Sequence, residues 1–289
     1  MTNPSNLKIR PLKGIRILSL ALNLPGPAVL MRCQQMGARC VKLQPPGGDP
    51  MQIYSPTAYK ALHPGIRITT ADLKTNAGQK KLHAELGKAD VLITSFRPSA
   101  LIKLGLTWKA LHKQYPQLNQ VAIVGRLGAL AEAPGHDLTY LAENGLVTGL
   151  DLPTTLYADM GGSLMASEAV LQAVLHKQVN GNGIYLEVAL SSAASYLALP
   201  RDWRLTTPGA AVGGGHAGYK IYNCKNGRVA VAALEPHFAA RLCAAVGLDE
   251  SNMNLPATQQ AIAAWILGKT RAQLDKLAID KDIPLHTLA

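Results

Sequence analysis

The chain has 289 residues and a formal net charge of +11, with 48% hydrophobic and 16% charged residues. That length suits one large packed domain plus a small one, and the apolar share is ordinary for a globular protein. No apolar run reaches the ~20 residues needed to span a bilayer, and Met1-Thr2-Asn3-Pro4-Ser5-Asn6 lacks the apolar core of a signal peptide. Cys33, Cys40, Cys224 and Cys243 have no paired metal-ligand spacing, so no metal is expected, and they read as reduced packing residues of a cytoplasmic protein. Lysines and arginines are scattered, and Lys80-Lys81 is the longest basic run. Without a basic arm or a basic platform interleaved with aromatics, nucleic acid is not expected, whereas a polyanionic small molecule remains compatible with the charge.

In chain order, Ile15–Leu20 reads as a strand, Pro27–Met36 as the helix after it, and Cys40–Leu43 as a second strand ended by the Pro45–Pro50 turn cluster. Asn76–Leu86 has helical periodicity, with Leu82 and Leu86 on one face. Val91–Thr94 and Val121–Val124 are further strands, Gly161–Lys177 is a long helix expected to be buried, and Ile184–Leu190 is another strand. Strands alternating with helices imply βαβ units, hence a mainly parallel sheet covered on both faces. Residues 200–215 break this pattern with Pro, Thr and Gly and read as a linker. Beyond it, Tyr219–Asn223 and Arg228–Ala233 form a hairpin through Lys225-Asn226-Gly227, followed by helices over Pro236–Val246 and Pro256–Leu267. The expected fold is therefore α/β: a Rossmann-like large domain over 1–199, the linker, and a smaller α+β domain over 216–289.

In open parallel sheets, ligands bind beyond the carboxyl ends of the strands. Pro45-Pro46-Gly47-Gly48, Ser95-Phe96-Arg97-Pro98 and Gly125-Arg126 all follow strand candidates and fall on that edge. Two further short motifs, Gly135-His136-Asp137 and Asp159-Met160-Gly161-Gly162, each lie where a loop feeds a helix. Each alone reads as loop-to-helix punctuation, with Asp as a cap. Together they offer two groups suited to proton transfer: an imidazole that titrates near neutrality, and a carboxylate whose pKa rises where water is scarce. The glycines at 161 and 162 would allow close backbone approach, with free N–H groups at the helix start facing developing negative charge.

The chain resembles the family III CoA-transferases, and its racemase branch most closely. The resemblance runs through Pro11-Leu12-Lys13-Gly14-Ile15-Arg16-Ile17-Leu18, Leu24-Pro25-Gly26-Pro27, Met36–Leu43 and Pro45–Pro50. It continues through Ala71-Asp72-Leu73-Lys74-Thr75, Ala89-Asp90-Val91-Leu92-Ile93, Phe96-Arg97-Pro98 and Leu104-Gly105-Leu106. Gly135-His136-Asp137-Leu138-Thr139-Tyr140-Leu141-Ala142, Tyr157–Met165 and Ala233-Leu234-Glu235-Pro236-His237-Phe238 are similar to the racemase branch in particular. Where the family carries an Asn-Arg-Gly-Lys-Arg-like stretch, this chain reads His63-Pro64-Gly65-Ile66-Arg67 and keeps one of three basic positions.

The resemblance implies His136 and Asp159 as catalytic groups, with Glu235 orienting and charge-balancing His136. It implies Lys42, Arg97, Gly135 and Asp137 at the CoA site, an acyl-CoA thioester as substrate with no prosthetic group, and a homodimer whose sites form between chains. The implied activity is racemisation of 2-methylacyl-CoA by α-proton transfer. A transferase in which Asp159 becomes acylated stands as the alternative, because both branches keep the Asp and the histidine separates them. Family members commonly continue several dozen residues beyond the point matching Ala289, so a degenerate CoA-binding protein is a third expectation.

Overall fold

The computed structural model describes residues 9–249 and 252–289. The chain divides into two compact units, Met1–Ala198 and Leu199–Ala289, so residues 200–215 group with the second unit. Among the described residues no helix is long and apolar enough to cross a membrane.

The first unit runs β1 (Arg16–Ser19), α1 (Pro25–Gln35), β2 (Arg39–Gln44), α2 (Met51–Tyr54), α3 (Pro56–Leu62), β3 (Arg67–Thr70), α4 (Asn76–Leu86) and β4 (Val91–Thr94). It continues with α5 (Pro98–Lys103), α6 (Trp108–Gln114), β5 (Asn119–Val124), α7 (Asp137–Glu143), α8 (Tyr157–Asn180), β6 (Tyr185–Ala189) and α9 (Leu190–Asp202), whose residues from Leu199 on belong to the second unit. The six strands form one parallel sheet in the order β3-β2-β1-β4-β5-β6.

Side-chain alternation divides the core between the two faces of this sheet. Ile17, Val91, Ile93, Val121 and Ile123 pack with Val29, Leu30 and Cys33 of α1 and with Ala166, Val170 and Val174 of α8. Leu18, Leu43 and Leu92 pack on the other face with Leu82 and Leu86 of α4, Leu101 of α5 and Leu111 of α6. Strand order reverses between β1 and β4, which opens a crevice beyond their carboxyl ends. Local chemistry starts several of these helices. Pro25 opens α1, and the Thr75 hydroxyl at the head of α4 accepts the Gly78 N–H at 3.1 Å. A Cβ on Gly26 would lie 2.1 Å from the Ala21 Cβ, so only glycine lets α1 start this close to the end of β1.

Strand β3 was not expected. It lies at the sheet edge with a mostly exposed pattern, and its pairing with β2 through Val41–Arg67 to Gln44–Thr70 makes it a strand. Helix α8 begins four residues earlier than expected, at Tyr157. It is buried along one side only, since Leu164, Leu175 and Val179 are exposed.

The second unit holds β7 (Tyr219–Cys224), β8 (Gly227–Ala232), α10 (Pro236–Val246), α11 (Pro256–Leu267), α12 (Arg271–Lys281) and β9 (Leu285–Leu288). The hairpin gains a third antiparallel strand, β9 against β8. Tyr222, Cys224, Val229 and Val231 bury against Leu242, Ile262, Ile266, Leu274 and Ile283. The hairpin loop is Lys225-Asn226, and of the expected Asn-Gly pair Gly227 has a positive φ, 151°, while Asn226 does not. Asn226 instead accepts the Arg271 N–H at 2.8 Å and holds the start of α12.

Candidate active site

Three loops shape the crevice where the strand order reverses. The loop after β1 is held across the crevice mouth, with the Leu22 N–H donating to Ser95 Oγ at 3.4 Å beyond β4. The same loop turns at Asn23, whose positive φ of 62° is steadied by its N–H bond to Asp49 Oδ1 at 3.1 Å. Asp49 also takes the Met51 N–H at 2.9 Å, and its other oxygen pairs with Lys42 at the end of β2.

Lys42 therefore differs from its expected role. Its side chain is fully buried, ion-paired to Asp49, 3.1 Å from His63 Nε2 and 5.1 Å from the Tyr59 ring centre. His63 Nδ1 lies 2.6 Å from the Tyr59 carbonyl and so carries the ring proton, which leaves Nε2 to accept from Lys42. Desolvation lowers the Lys42 pKa, against the opposing pull of Asp49. An ammonium enclosed this way ties β2 and α3 to the 45–50 turn and presents no charge to a surface phosphate.

Helix α8 brings Asp159 to the crevice. Its first turns are anchored on α1: the Ser163 hydroxyl lies 3.1 Å from the Pro25 carbonyl, and Arg32 Nε donates to Ser167 Oγ at 3.1 Å. Gly161 and Gly162 lie inside this helix and not at its start. A Cβ on Gly162 would meet Leu190 Cδ2 at 2.4 Å, and one on Gly161 would meet Ala193 and Leu197 at 3.4 Å. Gly162 thus lets α8 pack closely on α9 while a side chain at 161 would make only ordinary contact, and because both glycines lie inside the helix the expected display of free glycine amides is not found.

His136 is the exposed residue heading α7, and its N–H donates to Thr139 Oγ1 at 3.1 Å. Asp137 beside it is buried and points inward, where its Oδ1 accepts the Asp159 N–H at 2.9 Å. That bond draws the two motifs together across the 22 residues that separate their aspartates. Through that bond Asp137 holds the Asp159 backbone in place. Burial, and then the Asp137 carboxylate, push the Asp159 carboxyl from 3.8 up to about 6, while nearby His136 pulls the other way. The site thus contains a carboxyl that exchanges protons near neutrality, next to an imidazole.

Gly135 and Gly125 make room for a buried phenol. A Cβ on either would lie 2.5 or 2.3 Å from the Tyr140 hydroxyl. Arg126 covers the Tyr140 ring at 5.2 Å and pairs with Glu143. Arg97 sits exposed at the head of α5, and its charge is felt by Tyr140 and Glu132. Lys74 lies in the loop directly after β3. Lys74, Arg97 and Arg126 therefore line the carboxyl edge of the sheet. The sequence placed Arg97 and Arg126 on this edge, and Lys74 was missed because the strand before it, β3, was not expected. Tyr54 was also missed. Its phenol is pushed up by burial and then by the Asp49 and Asp159 carboxylates, which places it in the same field.

Glu235 belongs to the second unit, where it is the exposed residue heading α10 and makes no side-chain capping bond. Among the described residues no three His, Cys, Asp or Glu side chains gather as metal ligands.

The chain is 29% identical over 272 residues to α-methylacyl-CoA racemase of Mus musculus, covering 88% of this chain and 68% of that protein. It is also 29% identical over 218 residues to succinate–glutarate CoA-transferase of Agrobacterium fabrum, covering 68% of this chain and 54% of that protein. The crystal structure of a hypothetical protein from Mycobacterium tuberculosis superposes with a TM-score of 0.84 at 22% identity, covering 96% of this chain and 84% of that one. The model of CoA-transferase family III matches residues 12–289. The chain belongs to CoA-transferase family III.

Proposed function

We propose that the protein inverts the carbon next to the thioester carbonyl in 2-methylacyl-CoA substrates. The observation that carries this reading is the union of His136 with a half-buried Asp159 raised to about 6. One base removes the α-proton, the C–H electron pair moves into the thioester carbonyl as an enolate, and the other group returns a proton to the opposite face. Asp159 works near neutrality only if its carboxyl exchanges a proton there, which one raised to about 6 does. Arg97, with Lys74 and Arg126 at the same edge, is assigned to the phosphates of CoA. Glu235 is assigned to orienting His136 within a homodimer, and sedimentation velocity across a wide concentration range tests that assembly.

A second reading is favoured by the likeness to CoA-transferases and by the partial exposure of Asp159. There the Asp159 carboxylate attacks the thioester carbonyl and expels the CoA thiolate, leaving a mixed anhydride; the thiolate then attacks the Asp159 carbonyl and releases the donor acid, and an incoming carboxylate takes CoA from the resulting Asp159–CoA thioester by the same two steps in reverse. Incubation with a panel of acyl-CoA thioesters in heavy water separates the two. Deuterium at the α-carbon supports the isomerase, with exchange from one enantiomer reduced more than from the other by His136→Ala. Hydroxylamine-trapped acyl groups on Asp159 without deuterium uptake would reverse the choice.

A further inference from the structure

At the amino ends of the strands, away from the crevice, the sheet carries a second concentration of charge. Arg16, Arg39 and Arg67 are the first residues of β1, β2 and β3. Arg16 and Arg39 are direct partners in the ladder, and Arg67 stands opposite Val41 on the next strand. Strand alternation sends Arg16 to the same face as Leu18, and Arg39 and Arg67 to the same face as Val41. Leu18 and Val41 both belong to the α4-side core, so all three guanidinium stems rise from one face. Lys88, just past the end of α4, joins them around an open cavity of about 390 Å³.

The charges there are poorly balanced. Arg67 pairs with Glu85 at 2.6 Å. The nearest other carboxylate, Asp90, is occupied, with one oxygen on the Arg16 backbone N–H and the other on Lys177. Arg16, Arg39 and Lys88 are exposed and have no carboxylate partner among the described residues. Strands lie about 4.8 Å apart, and like charges directly opposite one another in a ladder destabilise it. An unpaired Arg16–Arg39 couple on paired strands is therefore a cost that folding does not require. A bound anion removes that cost, and two guanidinium groups suit phosphate oxygens in bidentate geometry. The cavity size is in the range of small-molecule sites, and Leu18 and Val41 give it an apolar floor.

We infer that this cavity is a binding site for a phosphorylated small molecule of nucleotide size. Its phosphates would lie on Arg16, Arg39 and Lys88, and its apolar part along Leu18 and Val41. The site is separate from the crevice that holds Asp159: it opens at the opposite ends of the strands, on the sheet face that packs α4 and not α8. The inference does not depend on which reaction Asp159 performs.

Titration calorimetry at low salt with ADP, and separately with pyrophosphate, tests it on the full chain. ADP is expected to bind, more tightly than pyrophosphate because its base uses the apolar floor. In the Arg97→Ala background, which weakens phosphate binding at the crevice, ADP affinity should fall at least tenfold on adding Arg16→Gln/Arg39→Gln and by a smaller factor on adding Lys88→Gln. Removing two opposed like charges leaves the ligand-free protein at least as stable, so an unchanged or raised unfolding temperature would show that the lost affinity is local. Failure of both probes to bind at millimolar concentration would overturn the inference. So would ADP affinity in the Arg97→Ala background that survives the added Arg16→Gln/Arg39→Gln change.

Discussion

Asp159→Asn should make the protein more stable and inactive, and the size of the gain follows from the site. In the fold, burial and the Asp137 carboxylate raise the Asp159 carboxyl from 3.8 to about 6. The native state thus holds this proton more tightly than the unfolded chain, and ionising the group above that range works against folding. Wild-type stability should fall as pH rises from about 4 through about 6. A shift of roughly two units corresponds to about 3 kcal/mol. Partial exposure of Asp159 and the loss of its favourable charge at the helix start, about 0.3–1 kcal/mol, reduce the net gain to about 1–2 kcal/mol. Asparagine carries no charge at any pH, and the Asp159 N–H bond to Asp137 belongs to the backbone and survives the change. In a unit of this size, spanning Met1–Ala198, each kcal/mol moves the unfolding temperature by about 2–4 °C. Scanning calorimetry of both proteins at pH 7.5 and pH 4 should show the variant several degrees higher at pH 7.5 and level with wild type at pH 4. Turnover should vanish while CoA affinity stays within a few-fold. Equal stabilities at pH 7.5, or a variant less stable at both pH values, would refute the raised carboxyl and the role derived from it.

Three further outcomes follow. Lys42→Met should destabilise by about 3–5 kcal/mol, because it strands the buried Asp49 carboxylate, and adding Asp49→Asn should recover part of the loss in urea titrations. Gly26→Ala should cost about 1–3 kcal/mol, since its Cβ would overlap Ala21 on the backbone that shapes the crevice; a melting temperature within a degree of wild type would show that the loop adapts freely. Arg97→Ala should weaken CoA binding by about 10–100-fold, the worth of a charge-assisted hydrogen bond, and should flatten its salt dependence in calorimetry.

Much of the architecture was legible in the sequence because it rests on local periodicity. The strands at β1, β2, β4, β5 and β6 are short apolar runs, and α4, α10 and α11 fall where their punctuation places them. Elements that depend on a neighbour were not legible. Strand β3 offers one large apolar side chain, Ile68, and is a strand because β2 pairs with it. Strand β9 is likewise completed by β8. Helix α12 did carry a readable signal, the Thr270–Gln273 capping box.

The same division holds at the site. His136 and Asp159 could be singled out from residue type and motif, since the chemistry each can perform belongs to the side chain itself. What those side chains do depends on partners distant in the chain. Lys42 looks like a strand-end lysine facing solvent, yet Asp49 and His63 enclose it. Asp137 reads as one more acidic residue beside a ligand site, yet its buried oxygen holds the Asp159 amide and helps set that carboxyl's pKa. Residue type determines which protons and charges are available. Burial and through-space charge decide which are exchangeable near neutrality, and only the folded chain supplies those.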